Sequence, residues 1–209
     1  MLEWATKEKV NSEFYKNTMA ELRRRYVKIV GDDNLTIYKE FELPYIIEKI
    51  KEQNGTKILD FGTGTSCLPA YLNSYSFDIT CLDSPPDKGG WHPEVTEQTY
   101  NEVYKSKVKY IKTDILTDFD WCPDNFFDVI YSASTLEHIK YPEKYIRILK
   151  KKLKKGGLHI HIIDYDLVHH PIDFNKIIRA MGLKDVLDEE PEDFYNPIPN
   201  IGRIAIYAN

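Results

Sequence analysis

The sequence predicts a doubly wound α/β fold: a mostly parallel, seven-stranded sheet with helices on both faces and an antiparallel strand at one edge. Three observations support this prediction. Short apolar segments alternate with segments of helical periodicity along most of the chain, a pattern typical of parallel sheets. Glycine and proline residues mark many of the boundaries. The length of 209 residues fits a single domain, in which we expect residues 1–43 to form a helical lid and residues 44–209 the core.

Two helices are predicted in the N-terminal part of the chain. The first carries an apolar stripe at helical spacing and ends at the turn-forming residues 31–34. The stripe consists of Tyr15, Met19, Leu22, Tyr26 and Ile29. The second helix begins near Pro44, a residue suited to the first helical turn, and ends at Asn54-Gly55. Its inward-facing side chains are Ile46, Ile47 and Ile50.

Five strands are predicted next, and they lie at residues 57–61, 77–83, 108–112, 127–132 and 158–163. A helix from Pro142 to Lys155 precedes the fifth strand, and Gly156-Gly157 is expected to end it. A further helix covers residues 171–181. The last strand, 201–207, is expected to pair with a shorter one near Val186-Leu187 as an antiparallel pair at the sheet edge.

Composition narrows the range of partners and compartments. The net charge of −5 disfavours nucleic acid, whose binding needs a clustered basic surface, and no apolar run approaches the roughly 18 residues of a membrane span. Cys67, Cys81 and Cys122 are widely spaced and odd in number, which argues against disulfides and a zinc site. The first residues lack the order of a signal peptide. We therefore expect a cytoplasmic protein without a membrane or nucleic-acid partner; the oligomeric state is left open, a homodimer included.

The residues that follow each strand are the candidate site, because ligands of such sheets bind at the carboxyl ends of the strands. Asp60 ends the first strand, and Gly62 and Gly64 follow it, where missing side chains let backbone approach a ligand. The second strand ends at Asp83, whose carboxylate can accept both hydroxyls of a ribose. The third ends at Thr113–Ile115, where an acid can accept an adenine amino group while its apolar neighbour covers the ring.

Five segments together resemble the class I SAM-dependent methyltransferases, where SAM is S-adenosylmethionine. In chain order they are ILDFGTGTS, ITCLD, IKTDI, FDVIYSASTLEH and LKKGGLHIHI. The resemblance covers about residues 45–165 and is closest to the small-molecule, type 11-like group, whose fourth strand leads into a Leu-Glu-His turn. It implies a Rossmann-like fold, SAM as the cofactor, and methyl transfer to a small-molecule acceptor.

The resemblance also implies a set of cofactor contacts. The residues are Asp60, Phe61, Gly62, Thr63, Gly64, Asp83, Ser84, Thr113, Asp114, Ile115 and Ser132. Within this set, Asp60 lies close to the methionine end, Asp83 holds the ribose, residues 114–115 contact the adenine, and Ser132 meets the methionine moiety through its backbone. Ser66 stands where the family usually has a third glycine, a place that serine can fill at negative φ.

A nicotinamide-dinucleotide site is the main alternative for the glycine-containing turn. Its fingerprint G-x-G-x-x-G requires a third glycine at position 67, which is Cys67 here. Acids at three successive strand ends also suit an adenosyl ligand better than simple strand capping. The sequence therefore favours SAM.

His138 is the candidate catalytic residue, since histidine can act as a general base at neutral pH. In the alternative, Glu137-His138 caps the following turn and supports the pocket. His159 and His161 share one sheet face and are interpreted as structural. His169-His170 could bind a metal together with Asp164 and Asp166, but such clusters are more often polar loops, and no metal is expected.

Three classes of function remain. The favoured one is methyl transfer to an O or N atom of a sugar, secondary-metabolite or cell-envelope intermediate. The second is an RNA or protein methyltransferase, disfavoured because residues 131–134 lack the Asn/Asp-Pro-Pro-Tyr/Phe pattern of base-amino methylation. The third is a SAM-binding partner subunit without catalysis. Residues 84–93, with Trp91, form an unusual Pro/Gly-rich insertion that covers the adenosine, the acceptor or only an apolar patch.

Overall fold

The structure is a computed structural model that describes residues 1–31, 39–85, 87, 92, 94–165, 173–183 and 202–208. Its strands are β1 (Leu2–Trp4), β2 (Lys57–Phe61), β3 (Asp78–Asp83), β4 (Lys109–Lys112), β5 (Phe127–Ala133), β6 (Leu153–Tyr165) and β7 (Gly202–Ala208). Its α-helices are α1 (Lys7–Asn11), α2 (Glu13–Val30), α3 (Glu42–Lys51), α4 (Leu68–Asn73), α5 (Glu97–Tyr104), α6 (Pro142–Lys152) and α7 (Phe174–Met181). A 3-10 turn covers Leu136–His138.

The strands form one seven-stranded sheet in the order β1-β7-β6-β5-β2-β3-β4. The five strands from β6 to β4 are parallel, and β7 runs antiparallel to both of its neighbours. This mixed sheet confirms the predicted fold class. The strand order reverses between β2 and β5, which is where ligands bind in such sheets.

The edge next to β7 differs in detail from the prediction. Strand β1, which pairs Leu2 with Ile206, occupies it and was not predicted. The partner expected near Val186-Leu187 lies outside the described residues. A strand as short as β1 carries too few residues to show a period of two, so its pairing depends on the sheet rather than on its own sequence.

Helices cover both faces of the sheet. One apolar cluster joins the strands to α2, α3, α4 and α5, and a second joins them to α6 and α7. Adjacent residues of β2 alternate between the clusters, Ile58 in the first and Leu59 in the second, as side chains along a strand must. In the part of the chain that is described, no helix combines the length and apolarity that a bilayer crossing requires.

The N-terminal helices follow the predicted pattern with one exception. Four members of the stripe on α2 are buried: Tyr15, Met19, Leu22 and Tyr26. Ile29 in the last turn is 41% exposed, so the stripe contacts the core over its first four members only. Helix α3 buries Ile46, Ile47 and Ile50 as predicted.

The predicted end of the helix after Pro142 is wrong. Helix α6 stops at Lys152, and Leu153 already pairs with Phe127 in the sheet, so Gly156 and Gly157 lie inside β6. Gly156 has a φ of +78° close to a shift in the pairing register, and a Cβ on Gly157 would lie 2.8 Å from a backbone oxygen of β5. Gly156 thus allows a bend in β6, and Gly157 allows β5 to approach closely. The sequence does not distinguish these roles from a glycine that ends a helix.

Candidate functional site

The described residues enclose a cavity of about 510 Å³ at the carboxyl ends of β2, β3 and β5. That volume is within the usual range for small-molecule sites. The β2–α4 loop forms its floor, and Lys39 and Leu43 bring the N-terminal part of the chain to its wall. The cavity therefore lies where the strand order reverses.

Two glycines give the β2–α4 loop its shape. Gly62 has a φ of +81° and donates its N–H to the carbonyl of Leu82 at 2.7 Å. A Cβ on Gly62 would lie 2.2 Å from Thr135, and a Cβ on Gly64 would lie 3.2 Å from the imidazole of His92. Both positions thus require glycine for conformation, and Gly62 also for space. Ser66 is not among the residues with positive φ, which explains why serine is accepted there.

Tyrosine hydroxyls fix the backbone of this loop from outside. The Tyr110 hydroxyl donates to the carbonyl of residue 64 at 3.0 Å. The Tyr104 hydroxyl donates to the carbonyl of residue 65 at 2.5 Å, and the Tyr100 hydroxyl to that of residue 66 at 2.6 Å. Sequence analysis missed these supports, because the tyrosines lie on α5 and β4, far from the loop in sequence. Their effect is to hold bare backbone rigidly at the cavity floor.

Asp60 is buried at the end of β2, and its Oδ2 has no hydrogen-bond partner among the described residues. Burial raises the pKa of this carboxyl to about 7. A buried carboxylate oxygen without a partner is costly. Because Asp60 also lines the cavity, its carboxylate can act as the counter-charge of a positively charged ligand group.

Asp83 ends β3 and also lines the cavity. Its carboxylate accepts a hydrogen bond from the backbone N–H of Ser84 at 2.9 Å, and it shares the single proton of the Tyr110 hydroxyl, 3.1 Å away, with the Gly64 carbonyl. Burial raises the pKa of Asp83 above its ordinary value, although these two hydrogen bonds oppose the shift. The fixed carboxylate offers acceptor positions to ligand hydroxyls.

The structure brings seven of the predicted cofactor contacts into the cavity wall: Asp60, Phe61, Gly62, Thr63, Gly64, Asp83 and Ser84. The predicted contacts at the end of β4 lie outside it. The Thr113 hydroxyl donates to the Asp118 carbonyl at 2.9 Å, and Ile115 is buried in the core. Asp114 Oδ1 accepts from the Tyr145 hydroxyl at 3.3 Å, so Asp114 contacts a residue that lines the cavity, Tyr145.

Ser132, the remaining predicted contact, has a fully buried side chain away from the cavity. Its hydroxyl lies 2.7 Å from Nδ1 of His161. His161 and His159 are buried in the same layer with ring centroids 4.5 Å apart, and burial lowers the pKa of His159 to about 3. Both imidazoles are therefore neutral groups of the core, as interpreted from their alternation.

Two roles were predicted for the Glu137-His138 pair, a structural support of the turn and a catalytic base, and the two residues differ in which role they fit. Glu137 is buried, its Oε1 accepts from the Asp164 N–H at 3.3 Å, and burial together with the Asp164 carboxylate raises its pKa well above the ordinary value. His138 is at the cavity wall and largely exposed. Glu137 thus supports the turn, and His138 remains the candidate for contact with an acceptor.

A polar cluster that sequence analysis missed connects the N-terminal part to the sheet edge. Lys39 Nζ lies 2.5 Å from Glu42 Oε2 and donates to the Ser134 hydroxyl at 2.9 Å. Ser134 lies 2.8 Å from Glu42 Oε1 and 3.1 Å from Asp164 Oδ1. One signal was present: Glu42 is a single acid between Phe41 and Leu43, and its side chain is completely buried. A fully buried acid is nearly always paired, and Lys39 stands three residues before it as the possible partner.

Two further predictions concern loops. His169-His170 and Asp166 lie outside the described residues, and within the described ranges no three His, Cys, Asp or Glu side chains group as a metal site would require. Of the insertion at 84–93, Ser84, Pro85, Asp87 and His92 are described, and Trp91 is not.

Comparison with known proteins finds relatives both by sequence and by structure. A family model described as a methyltransferase domain matches residues 21–186. The chain is 28% identical over 122 residues to the ubiquinone biosynthesis O-methyltransferase of Rickettsia typhi, covering 56% of this chain and 46% of that protein. It is 27% identical over 148 residues to phosphoethanolamine N-methyltransferase 1 of Zea mays, covering 68% of this chain and 27% of that protein. The chain spans about half or less of the length of these two relatives.

A solved SAM-dependent methyltransferase from Aquifex aeolicus has a similar fold. The TM-score is 0.56 at 15% identity, over 92% of this chain and 95% of that chain. At this identity the likeness concerns the fold alone. Because the family model matches well over half of the sequence, the chain belongs to the methyltransferase domain family, and its fold is the Rossmann-like fold of the SAM-dependent members.

Proposed function

We propose that this chain, acting as a single domain, transfers the methyl group of SAM to an oxygen or nitrogen atom of a small-molecule acceptor. The observation that carries the proposal is the convergence of two carboxylates, Asp60 and Asp83, on one cavity across a glycine loop with bare backbone. The similarity to one O- and one N-methyltransferase supports both kinds of acceptor atom.

The residues present fit the cofactor. SAM carries a sulfonium and an ammonium group. The Asp60 carboxylate, buried at the cavity wall with its Oδ2 unpartnered among the described residues, offers a counter-charge. Asp83, held by Tyr110 and Ser84, offers acceptors to the ribose hydroxyls. When bound, SAM supplies an already activated methyl group, so the task of the protein is to position the acceptor and exclude water.

The acceptor is proposed to meet the cavity wall formed by the N-terminal part and the segment after β5. Leu43, Ile139 and Tyr145 supply apolar surface there, and His138 supplies a base for a hydroxyl acceptor. An acceptor with a neutral amine needs no such base. The net charge of −5 supports a small-molecule acceptor over nucleic acid, and cytoplasmic location belongs to the same proposal.

The test is calorimetry with SAM and S-adenosylhomocysteine, followed by a screen of acceptors with methyl-labelled SAM. We expect saturable binding of both compounds at one site and label transfer to a phenol, sugar or amine. Asp83→Asn is expected to weaken binding by roughly 10- to 100-fold, because it removes hydrogen bonds to a charged acceptor. Asp118→Asn makes the same chemical change at an exposed side chain and should bind normally. If the wild-type chain binds neither compound, the proposal is wrong.

A further inference from the structure

One residue of the insertion after β3 reaches the cofactor loop. His92 lines the cavity together with Gly64 and Asp83. Resting on the proposed function, we propose that His92 is a cofactor-binding residue whose imidazole closes the adenosyl end of the cavity and accepts a hydrogen bond from the cofactor through Nε2.

The ring packs against the bare backbone of the loop. From the place where a Cβ on Gly64 would be, His92 Cδ2 is 3.2 Å away and Nε2 3.6 Å away. The ring edge with Nε2 therefore faces the loop, and His92 and Asp83 line the same cavity. A side chain at position 64 would push the imidazole away. Gly64 and His92 therefore form one continuous part of the cavity wall.

The backbone of His92 is held in place by two hydrogen bonds to its carbonyl. Its carbonyl accepts from Lys112 Nζ at 2.5 Å and from the Val95 N–H at 3.2 Å. Lys112 is the last residue of β4, so a neighbouring strand of the sheet holds the histidine over the cavity. Its side chain keeps 37% of its surface exposed, which leaves the ring accessible to a ligand.

The contact of the other ring nitrogen determines what Nε2 can do. Nδ1 lies 3.4 Å from Glu94 Oε1, which favours the neutral tautomer with the proton on Nδ1 and the lone pair on Nε2. The adenosyl half of SAM offers donors, namely the ribose hydroxyls and the adenine amino group. Asp83 and His92 would thus accept hydrogen bonds from the same half of the cofactor.

This placement separates His92 from the chemistry of transfer. His138 and Ser134 lie after β5, whereas His92 adjoins the end of β3 and the loop after β2. Loss of the His92 ring should therefore raise the KM for SAM and leave kcat at saturating SAM unchanged. A general base at position 92 would show the opposite division.

The experiment compares His92→Ala, His92→Gln and His92→Phe by calorimetry with S-adenosylhomocysteine and with 5′-methylthioadenosine, which lacks the amino-acid part. We expect His92→Ala to weaken both ligands equally, by roughly 3- to 10-fold, the factor of one neutral hydrogen bond. His92→Gln, which keeps an acceptor, should recover part of the affinity, and His92→Phe should not. Asp87→Ala, an exposed position of the same insertion, is the matched control and should bind as the wild type does.

Unchanged affinity in His92→Ala, or wild-type affinity in His92→Phe, would overturn the proposed hydrogen bond. So would a loss confined to S-adenosylhomocysteine, because the contact would then lie at the amino-acid end. These results require a wild-type chain that binds. A wild type without affinity for either ligand would instead refute the proposed function. Thermal unfolding of each variant checks that the fold is kept.

Discussion

The carboxyl of Asp60 connects cofactor binding to pH. Burial raises its pKa to about 7. The side chains of Tyr131 and Thr63 and, more weakly, Lys39 oppose this rise, whereas the Asp83 carboxylate adds to it. At pH 6 the group is therefore mostly neutral when no cationic ligand is bound. A cationic ligand favours the ionised form, so binding must release a proton over this range.

We expect the affinity for SAM to rise with pH through 7 and to level off above it. Below pH 7 the loss approaches about tenfold per pH unit. S-Adenosylhomocysteine lacks the sulfonium charge and should depend on pH less strongly. Calorimetry at pH 6, 7 and 8 measures both, and Asp60→Asn should flatten the SAM curve. An equal slope in Asp60→Asn and wild type would show that another group is responsible.

His138 is the second residue whose role can be separated from binding. It lines the cavity after β5, while its neighbour Glu137 is buried and supports the turn. For a hydroxyl acceptor, His138→Ala should lower kcat by about 100-fold or more, the usual contribution of a general base. The Kd for S-adenosylhomocysteine should not change. Unchanged turnover with the true acceptor would leave His138 as part of the wall only.

At the scale of the element, the β2–α4 loop depends on the lack of a side chain at Gly62. Alanine there would place a Cβ 2.2 Å from Thr135 and would keep a φ of +81°. Gly31 has a similar φ of +77°, but no atom of the described residues lies within 4 Å of the place where its Cβ would be. Alanine at position 31 therefore tests backbone strain alone, whereas alanine at position 62 tests backbone strain together with steric collision.

Gly62→Ala should abolish detectable cofactor binding and lower the free energy of unfolding by about 1–3 kcal/mol more than Gly31→Ala, because overpacking adds to strain. Calorimetry and thermal unfolding measure the two effects. Thr135→Ala in the Gly62→Ala background should recover part of the stability. Equal losses at both glycines would mean that φ alone matters at position 62.

How much the sequence predicts also depends on the element. Strands β2 to β6 were predicted because buried parallel strands are apolar and bounded by turn residues, as Ile58-Leu59 shows. The end of α6 was not, because Gly156-Gly157 satisfies a helix stop and a strand bend equally well. The Lys39–Glu42–Ser134 cluster depends on contacts between residues 95 positions apart, which no local pattern contains.

At the scale of the whole molecule, packing helices against the sheet buries histidine side chains in a layer where the charged form is disfavoured. His159 and His161 lie in the layer between the sheet and the helices α6 and α7, and burial lowers the pKa of both. Unfolded, each imidazole has a pKa of about 6.5. Between that value and the folded value of about 3 for His159, the unfolded chain binds more protons than the folded one.

Stability should therefore fall as the pH drops from about 6.5 toward 3, by roughly 1.4 kcal/mol per pH unit for each histidine. Asp60 acts in the opposite sense, since its raised pKa lets the folded chain hold a proton between about pH 4 and 7. His159→Leu isolates the histidine contribution, because it keeps the layer apolar and removes one titration. Urea unfolding of the variant at pH 8, 7, 6, 5 and 4 should show a shallower decline than that of the wild type, with the two curves parallel between pH 7 and 8. Parallel curves over the whole range would mean that His159 titrates alike in the folded and unfolded chains, and the neutral core layer would then have to be abandoned.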